Sequence, residues 1–249
     1  MGSSSPSSSG GTSRSVIGRR CWGCAWALLQ PLLTATVLTL IFARLAGVAT
    51  DGVPYPLFVL AGLIPWQFFS HGVSTAATSF VTNQELVRRV YFPRLALPLA
   101  AVLSGLIELL VHLPLLVAVL IFYDWVPSVR LLLVWAPLLL GLAATLGVGL
   151  ILCAANAQYR DVGHALPFAL QFALFASPIA YPSSALPGGW RMIYSLNPMV
   201  GVVDGLRWSL FGTAIHAPSF AISVASTFVA LGMGAVYLRH TERSLADIL

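Results

Sequence analysis

Long apolar runs, each set off from the next by a short polar or Pro/Gly-bearing stretch, give this chain its pattern. The first extends from about Trp26 to Leu45, with Gln30-Pro31 near its start. The loop Ala46 to Pro56 leads to a second run, about Leu57 to Thr78, interrupted by Pro65 and by the polar Gln67, Ser70 and His71. A polar stretch over 81–94 precedes the third, Leu95 to Tyr123, whose length predicts tilting or kinking around Pro98 and Pro114. Asp124 to Arg130 then turns into a fourth run, Leu131 to Ala155, and the short polar loop Asn156 to Gly163 into a fifth, about His164 to Tyr181. A mixed segment from Pro182 to Pro218 is too polar for a clean span yet rich in Trp, Leu and Phe. The sixth run, Ser219 to Leu238, ends in the tail Arg239 to Leu249.

These runs are continuous and rich in Leu and Ala, whereas a membrane barrel alternates its apolar residues over ten-residue segments. Roughly 20 consecutive apolar residues are enough for a helix to cross the hydrocarbon core. The pattern therefore predicts an all-α membrane protein of about six transmembrane helices over residues 16–249. Residues 1–15 are Ser/Gly-rich, a composition that cannot bury a core, and are expected to be a disordered tail. They do not read as a signal peptide, because the apolar run after Arg19 and Arg20 has no small-residue cleavage site behind it.

Composition strengthens this reading. Hydrophobic residues make up 58% of the 249 positions and charged residues 8%, with a mean hydropathy of +0.87. A soluble domain carries roughly 25% charged residues. So little charge cannot solvate a water-facing surface, and hydrocarbon leaves only structures that pair their own backbone groups.

Charge sets the expected orientation. Of the 13 basic residues, all Arg, nine lie at the N-terminus, in 79–94, in 156–163 and in the C-terminal tail. The other four, Arg44, Arg130, Arg191 and Arg207, belong to the opposite set. The positive-inside rule then places both termini in the cytoplasm, in agreement with an even number of spans. The net charge of +5 is read as topology rather than as affinity for nucleic acid.

Several chemistries are excluded or weakened. With no Lys in the chain, the phosphate loop G-x-x-x-x-G-K-[ST] cannot form, so any ATP must be bound by another chain. Cys21 and Cys24 match the C-x-x-C spacing but run into an apolar helix, and with only Cys153 besides they support neither redox nor zinc chemistry. No H-E-x-x-H or G-x-S-x-G motif occurs, and the five His are scattered over separate segments.

Four features remain as functional candidates. In 81–94, Leu86, Val87 and Val90 fall at helical spacing while Arg88 and Arg89 turn elsewhere, and Pro93 stops the helix. Such a segment can dock into a partner's groove or anchor at lipid headgroups. Tyr159-Arg160-Asp161-Val162 can cap helix ends or meet a partner. Glu108 lies in mid-span with His112 one turn later, and an ionisable residue in hydrocarbon marks a functional hypothesis. The pair reads as a structural Glu–His hydrogen bond, as a polar patch beside a watery path, or as a proton relay. Aromatic residues, among them Trp66, Phe69, Phe172, Phe175 and Tyr181, gather near the external half. They suit stacking on sugar rings, or an ordinary interfacial belt with bundle packing.

Several stretches together resemble one family. They are Trp26-Ala-Leu-Leu-Gln-Pro-Leu-Leu33, Pro54-Tyr-Pro-Leu-Phe-Val-Leu-Ala-Gly-Leu-Ile-Pro-Trp-Gln-Phe-Phe69, Val90-Tyr-Phe-Pro-Arg-Leu-Ala-Leu-Pro98, Tyr159-Arg-Asp-Val162, Ser177-Pro-Ile-Ala-Tyr-Pro182 and Leu196-Asn-Pro-Met199. In order, over about 25–240, they are similar to the permease subunit of ATP-binding-cassette exporters of polysaccharides, the O-antigen and teichoic-acid type. The Ser/Gly-rich start stands where that family carries a longer amphipathic helix.

The resemblance implies a multi-pass protein of the bacterial inner membrane that pairs with a second copy of itself and with two nucleotide-binding subunits. Those subunits, not this chain, would hold ATP and magnesium. Asn83, Glu85, Leu86, Arg88, Arg89, Tyr91 and Phe92, with Tyr159, Arg160 and Asp161 close by, would form the coupling interface. The segment 183–215 would form short re-entrant helices at the external mouth. A lipid-linked glycan would leave through an aromatic-lined channel, with Trp66, Phe69, Phe172, Phe175 and Tyr181 as its candidate lining. The alternatives are a drug or antibiotic efflux permease of the same superfamily, an ion-coupled transporter using Glu108 and His112, and an intramembrane enzyme acting on lipid-linked sugars. The last is disfavoured by the lack of a catalytic cluster.

Overall fold

The computed structural model describes residues 28–45, 47–48, 50, 52–85, 93–126 and 129–248. Among them every regular element is helical. Helix α1 covers Leu28–Arg44 and loosens into a π-helix over Thr39–Leu45. Next come α2 (Tyr55–Thr82) and α3 (Ala96–Phe122). A 3-10 turn, Val129–Leu133, leads into α4 (Trp135–Gln158), followed by α5 (Asp161–Phe175). After the 3-10 turn Ser183–Ala185 stand α6 (Gly188–Tyr194), α7 (Pro198–Phe211) and α8 (Ala217–Ile248).

Among the described residues four helices are long and apolar enough to cross a membrane: Tyr55–Thr82, Ala96–Phe122, Val129–Gln158 and Ala217–Thr241. These match the second, third, fourth and sixth apolar runs. The fifth run differs, because α5 stops at Phe175 instead of reaching Tyr181. Pro178 explains this, since it lacks an N–H and pushes Ser177 out of the helical region. At 15 residues α5 is roughly 22 Å long, short of the hydrocarbon core.

Helix α2 is the centre of the protein. In its apolar window 78% of residues are buried, against 28% in α3 and 22% in α8. It packs on α3, α4 and α7. Pro65 does not interrupt it, contrary to the sequence expectation. Proline removes one ladder bond, but flanking helices hold the buried residues around it on course. By contrast α3 and α8 carry outward apolar faces, with Ile107, Leu110 and Ile121 on one and Phe228, Met233 and Val236 on the other.

The most extensive helix pair is α4 with α8. Glycine makes it possible: a Cβ on Gly147 would lie 2.6 Å from the Leu231 backbone nitrogen, and one on Gly234 would lie 2.6 Å from the Gly147 carbonyl oxygen. Between membrane helices, where lipid is as apolar as leucine, such close backbone approach is a main source of association.

Candidate functional site

Three chain segments meet at the end of the bundle where α2 and α4 finish. Asn156, buried near the end of α4, donates from Nδ2 to the Ala77 carbonyl at 2.9 Å and accepts at Oδ1 from the Gly163 N–H at 2.8 Å. Gly163 is the third residue of α5, and its N–H is shared between Asn156 Oδ1 and, at 3.2 Å, the Arg160 carbonyl, so Asn156 supplements the first turn of that helix. The sequence reading gave capping to Tyr159-Arg160-Asp161; Arg160 is the N-cap residue but makes no side-chain cap bond. Asp161 contributes an acidic charge to the first turn of α5, favourable at the positive helix end. Gln158 donates to the Thr241 hydroxyl at 3.0 Å and accepts from Tyr237 at 3.2 Å, which fastens α8 to the same end.

Of the candidate coupling residues, Asn83 caps α2, its Nδ2 donating to the Ser79 carbonyl at 2.9 Å. Glu85, Tyr159, Arg160 and Asp161 are exposed. Leu86, Arg88, Arg89, Tyr91 and Phe92 lie outside the described residues.

The aromatic candidates separate into two groups. Trp66 and Phe69 are inside the helical bundle, 4% and 6% exposed, with ring centroids 5.4 Å apart. Phe172 and Phe175 stand on the outer face of α5 beside Phe168, 75%, 53% and 68% exposed. Tyr181 donates to the Phe175 carbonyl and accepts from Tyr194, joining the end of α5 to α6.

Midway along the bundle, α1, α2, α3 and α5 line an open-sided cavity of about 410 Å³ with polar side chains in its wall. Gln67, Ser70 and His71 line it from α2, Glu108 and His112 from α3, and Gln30 from α1. Pro167 and Leu170 of α5 supply an apolar wall. Glu108 meets His71 of α2, its Oε2 lying 3.4 Å from Nδ1, where the sequence offered His112 as partner. His112 is buried at 2% exposure.

At the opposite end lies a network that the sequence reading did not find. By sequence Arg207 belongs to the external set of charges, yet it is 2% exposed. Its guanidinium sits 3.4 Å from the Phe58 ring centroid and donates to the Phe58 and Ile179 carbonyls. Asp204, one turn earlier, accepts from the Ser183 hydroxyl at 2.5 Å, and Arg191 also donates to that hydroxyl at 3.3 Å. Burial raises the Asp204 carboxyl above the ordinary range, opposed by the charge of Arg207, the bond from Ser183 and the charge of Arg191. Asn197 anchors the start of α7: Oδ1 accepts from the Met199 N–H while Nδ2 donates to the Ala176 carbonyl and the Ser177 hydroxyl. The i, i+3 spacing of Asp204 and Arg207 on a helix was the available signal.

Among the described residues no group of three or more metal-ligating side chains occurs.

Known proteins give this architecture its context. The chain is 25% identical over 231 residues to an O-antigen export system permease protein RfbA of Klebsiella pneumoniae, covering 92% of this chain and 88% of the relative. With the protein of that name from Myxococcus xanthus it shares 31% identity over 188 residues, 74% of this chain and 71% of the relative. The polysialic acid transport protein KpsM of Escherichia coli is 26% identical over 237 residues, with coverage of 93% and 91%. The profile of the ABC-2 type transporter family matches residues 13–211, well over half of the 249, and the chain belongs to that family.

Proposed function

We propose that this chain is the permease subunit of an ATP-binding-cassette exporter that carries a lipid-linked polysaccharide, of the O-antigen or teichoic-acid kind, across the bacterial inner membrane. The carrying observation is its similarity, over more than nine-tenths of its length, to permeases named for O-antigen export and polysialic acid transport. In this reading α1 and α5 complete six spans, the tilted or tandem course of shorter helices making up their length. Both termini face the cytoplasm, and α6 and α7 re-enter at the external mouth. Two copies pair across α1 and α5, where the exposed rings of Phe168, Phe172 and Phe175 offer apolar faces to sugar.

The end where Asn83, Tyr159, Arg160 and Asp161 gather is the docking surface for the nucleotide-binding subunits, which hold ATP and magnesium. The absence of Lys from the sequence supports this division of labour. Glu108 and His112 belong to the passage rather than to an ion-coupled cycle.

Deletion of the chain tests the reading. Cells lacking it are expected to retain a lipid-linked glycan inside, and the tagged protein to co-purify with an ATP-binding subunit. Normal surface glycan in the deletion strain would overturn it.

A further inference from the structure

The cavity between α1, α2, α3 and α5 is polar where its surroundings are apolar. Helix α3 is the most apolar of the candidate spans, yet Glu108 and His71 keep 35% and 46% of their side chains exposed. A carboxylate and an imidazole cannot present that much surface to hydrocarbon without cost, so their open faces are turned to a polar occupant. Gln67 adds to this: its Oε1 is buried and accepts no hydrogen bond among the described residues. A buried acceptor without a donor costs about 1–3 kcal/mol, which a donor in the cavity recovers.

The lining also indicates what kind of donor. Gln67 and Gln30 are amides, Ser70 a hydroxyl and Glu108 a carboxylate, which together both accept and donate at close spacing. Pro167 and Leu170 of α5 add apolar surface to the same lining, so it has a polar and an apolar part. A pyranose has the same two sides, hydroxyls at its edge and C–H groups on its face. The volume, about 410 Å³, lies in the usual range of small-molecule sites. Among the described residues that line the cavity, Glu108 is the one acidic group, His71 and His112 are the basic ones, and none is Arg. A uronic or sialic acid unit would meet the Glu108 carboxylate with only the imidazoles of His71 and His112, and no permanently charged guanidinium among the described lining residues, to offset it.

We propose that this cavity is a binding subsite for a neutral, hydroxyl-rich sugar unit, in which Gln67 and Glu108 accept from the sugar hydroxyls. The proposal rests on the polysaccharide-export reading and narrows it to an uncharged glycan. It also sets this chain apart from a carrier of an acidic polymer.

The test uses the permease purified together with its ATP-binding subunit. Two probes of equal length are titrated onto it, an uncharged oligohexose and an oligouronate. The expected result is saturable binding of the oligohexose, with the oligouronate at least about tenfold weaker. Gln67→Leu should weaken oligohexose binding by about tenfold, and Gln67→Asn should restore part of it. Co-purification with the ATP-binding subunit confirms that each variant has assembled. Equal binding of both probes, no binding of either, or unchanged binding in Gln67→Leu would overturn the subsite. Deletion-strain glycan is scored in parallel: if none is retained, the export reading fails whatever the probes show. If it is retained while Gln67→Leu binds as wild type, only the subsite fails.

Discussion

At the scale of single residues, Asn156 shows how one amide can organise an entire end of the protein. It sits buried in α4, bonds α2 through the Ala77 carbonyl and caps α5 through Gly163. Removing the side chain deletes both bonds that tie α4 to α2 and α5, while the Gly163 N–H keeps its local bond to the Arg160 carbonyl. Each lost bond costs about 0.5–1.5 kcal/mol net, more where the orphaned group stays dry. Asn156→Ala is therefore expected to destabilise the protein by about 1–3 kcal/mol, read as a lowered unfolding temperature in detergent. Asn156→Asp should lower it as well, because a carboxylate accepts from Gly163 but has no donor for Ala77. A melting temperature unchanged in both variants would refute the clamp. This role was not legible in the sequence, where Asn156 reads as the first residue of a polar loop. Its partners lie 79 and 7 positions away, and the nearer one becomes visible only once α5 is known to start at Asp161.

At the scale of elements, hydropathy located the helices that are buried or lipid-facing along their whole length. Lipid imposes one requirement on every residue of a spanning helix, so a continuous apolar run and a helix nearly coincide. The expected second run, Leu57 to Thr78, became Tyr55–Thr82, and the third, Leu95 to Tyr123, became Ala96–Phe122. What failed was the prediction of breaks. Pro65, Pro114 and Pro167 are each absorbed inside a helix, whereas Pro178, itself buried beside Ile179, follows the end of one. Pairing between helices was also hidden: Glu108 lies opposite His71 because of the rotational setting of α3 on α2, which no periodicity in one helix reports. The same is true of the glycine contact between α4 and α8, and it yields a paired prediction. Gly147→Leu forces a side chain into the Leu231 backbone and should cost about 1–3 kcal/mol or prevent folding. Gly232→Ala, with open space around its Cβ, should be neutral or stabilising by up to about 1 kcal/mol through helix propensity. Thermal unfolding of the two variants side by side checks this, and equal effects would refute the contact as the reason for glycine at 147.

At the scale of the whole molecule, the end where α2 and α4 finish is where a soluble partner would read the state of the membrane helices. The α4–α5 turn is tied to α2 by Asn156 and to α8 through Gln158 and Thr241, so a force applied at Arg160 reaches three helices. A turn bonded in this way moves with the bundle instead of flexing alone. Arg160 and Asp161 are exposed there, and the sequence places Arg88 and Arg89 in the stretch that follows α2. Opposite charges on a docking surface mainly set encounter and register, so reversal acts on partner binding rather than on the fold. Reversing Arg88 and Arg89 together to Glu, or Arg160 to Glu, should lower co-purification of the ATP-binding subunit by about tenfold. The unfolding temperature of the isolated permease should stay within about 1 °C, because exposed charges contribute little to stability. Reversal of Arg239, which leaves α8 at the same end, separates local docking from general electrostatics. If Arg239→Glu weakens the complex as much as Arg160→Glu, the interaction is with the field of the whole basic end. If only the changes at 88, 89 and 160 matter, the partner reads a defined surface, and the ties from Asn156 and Gln158 are the route by which its movement enters the bundle.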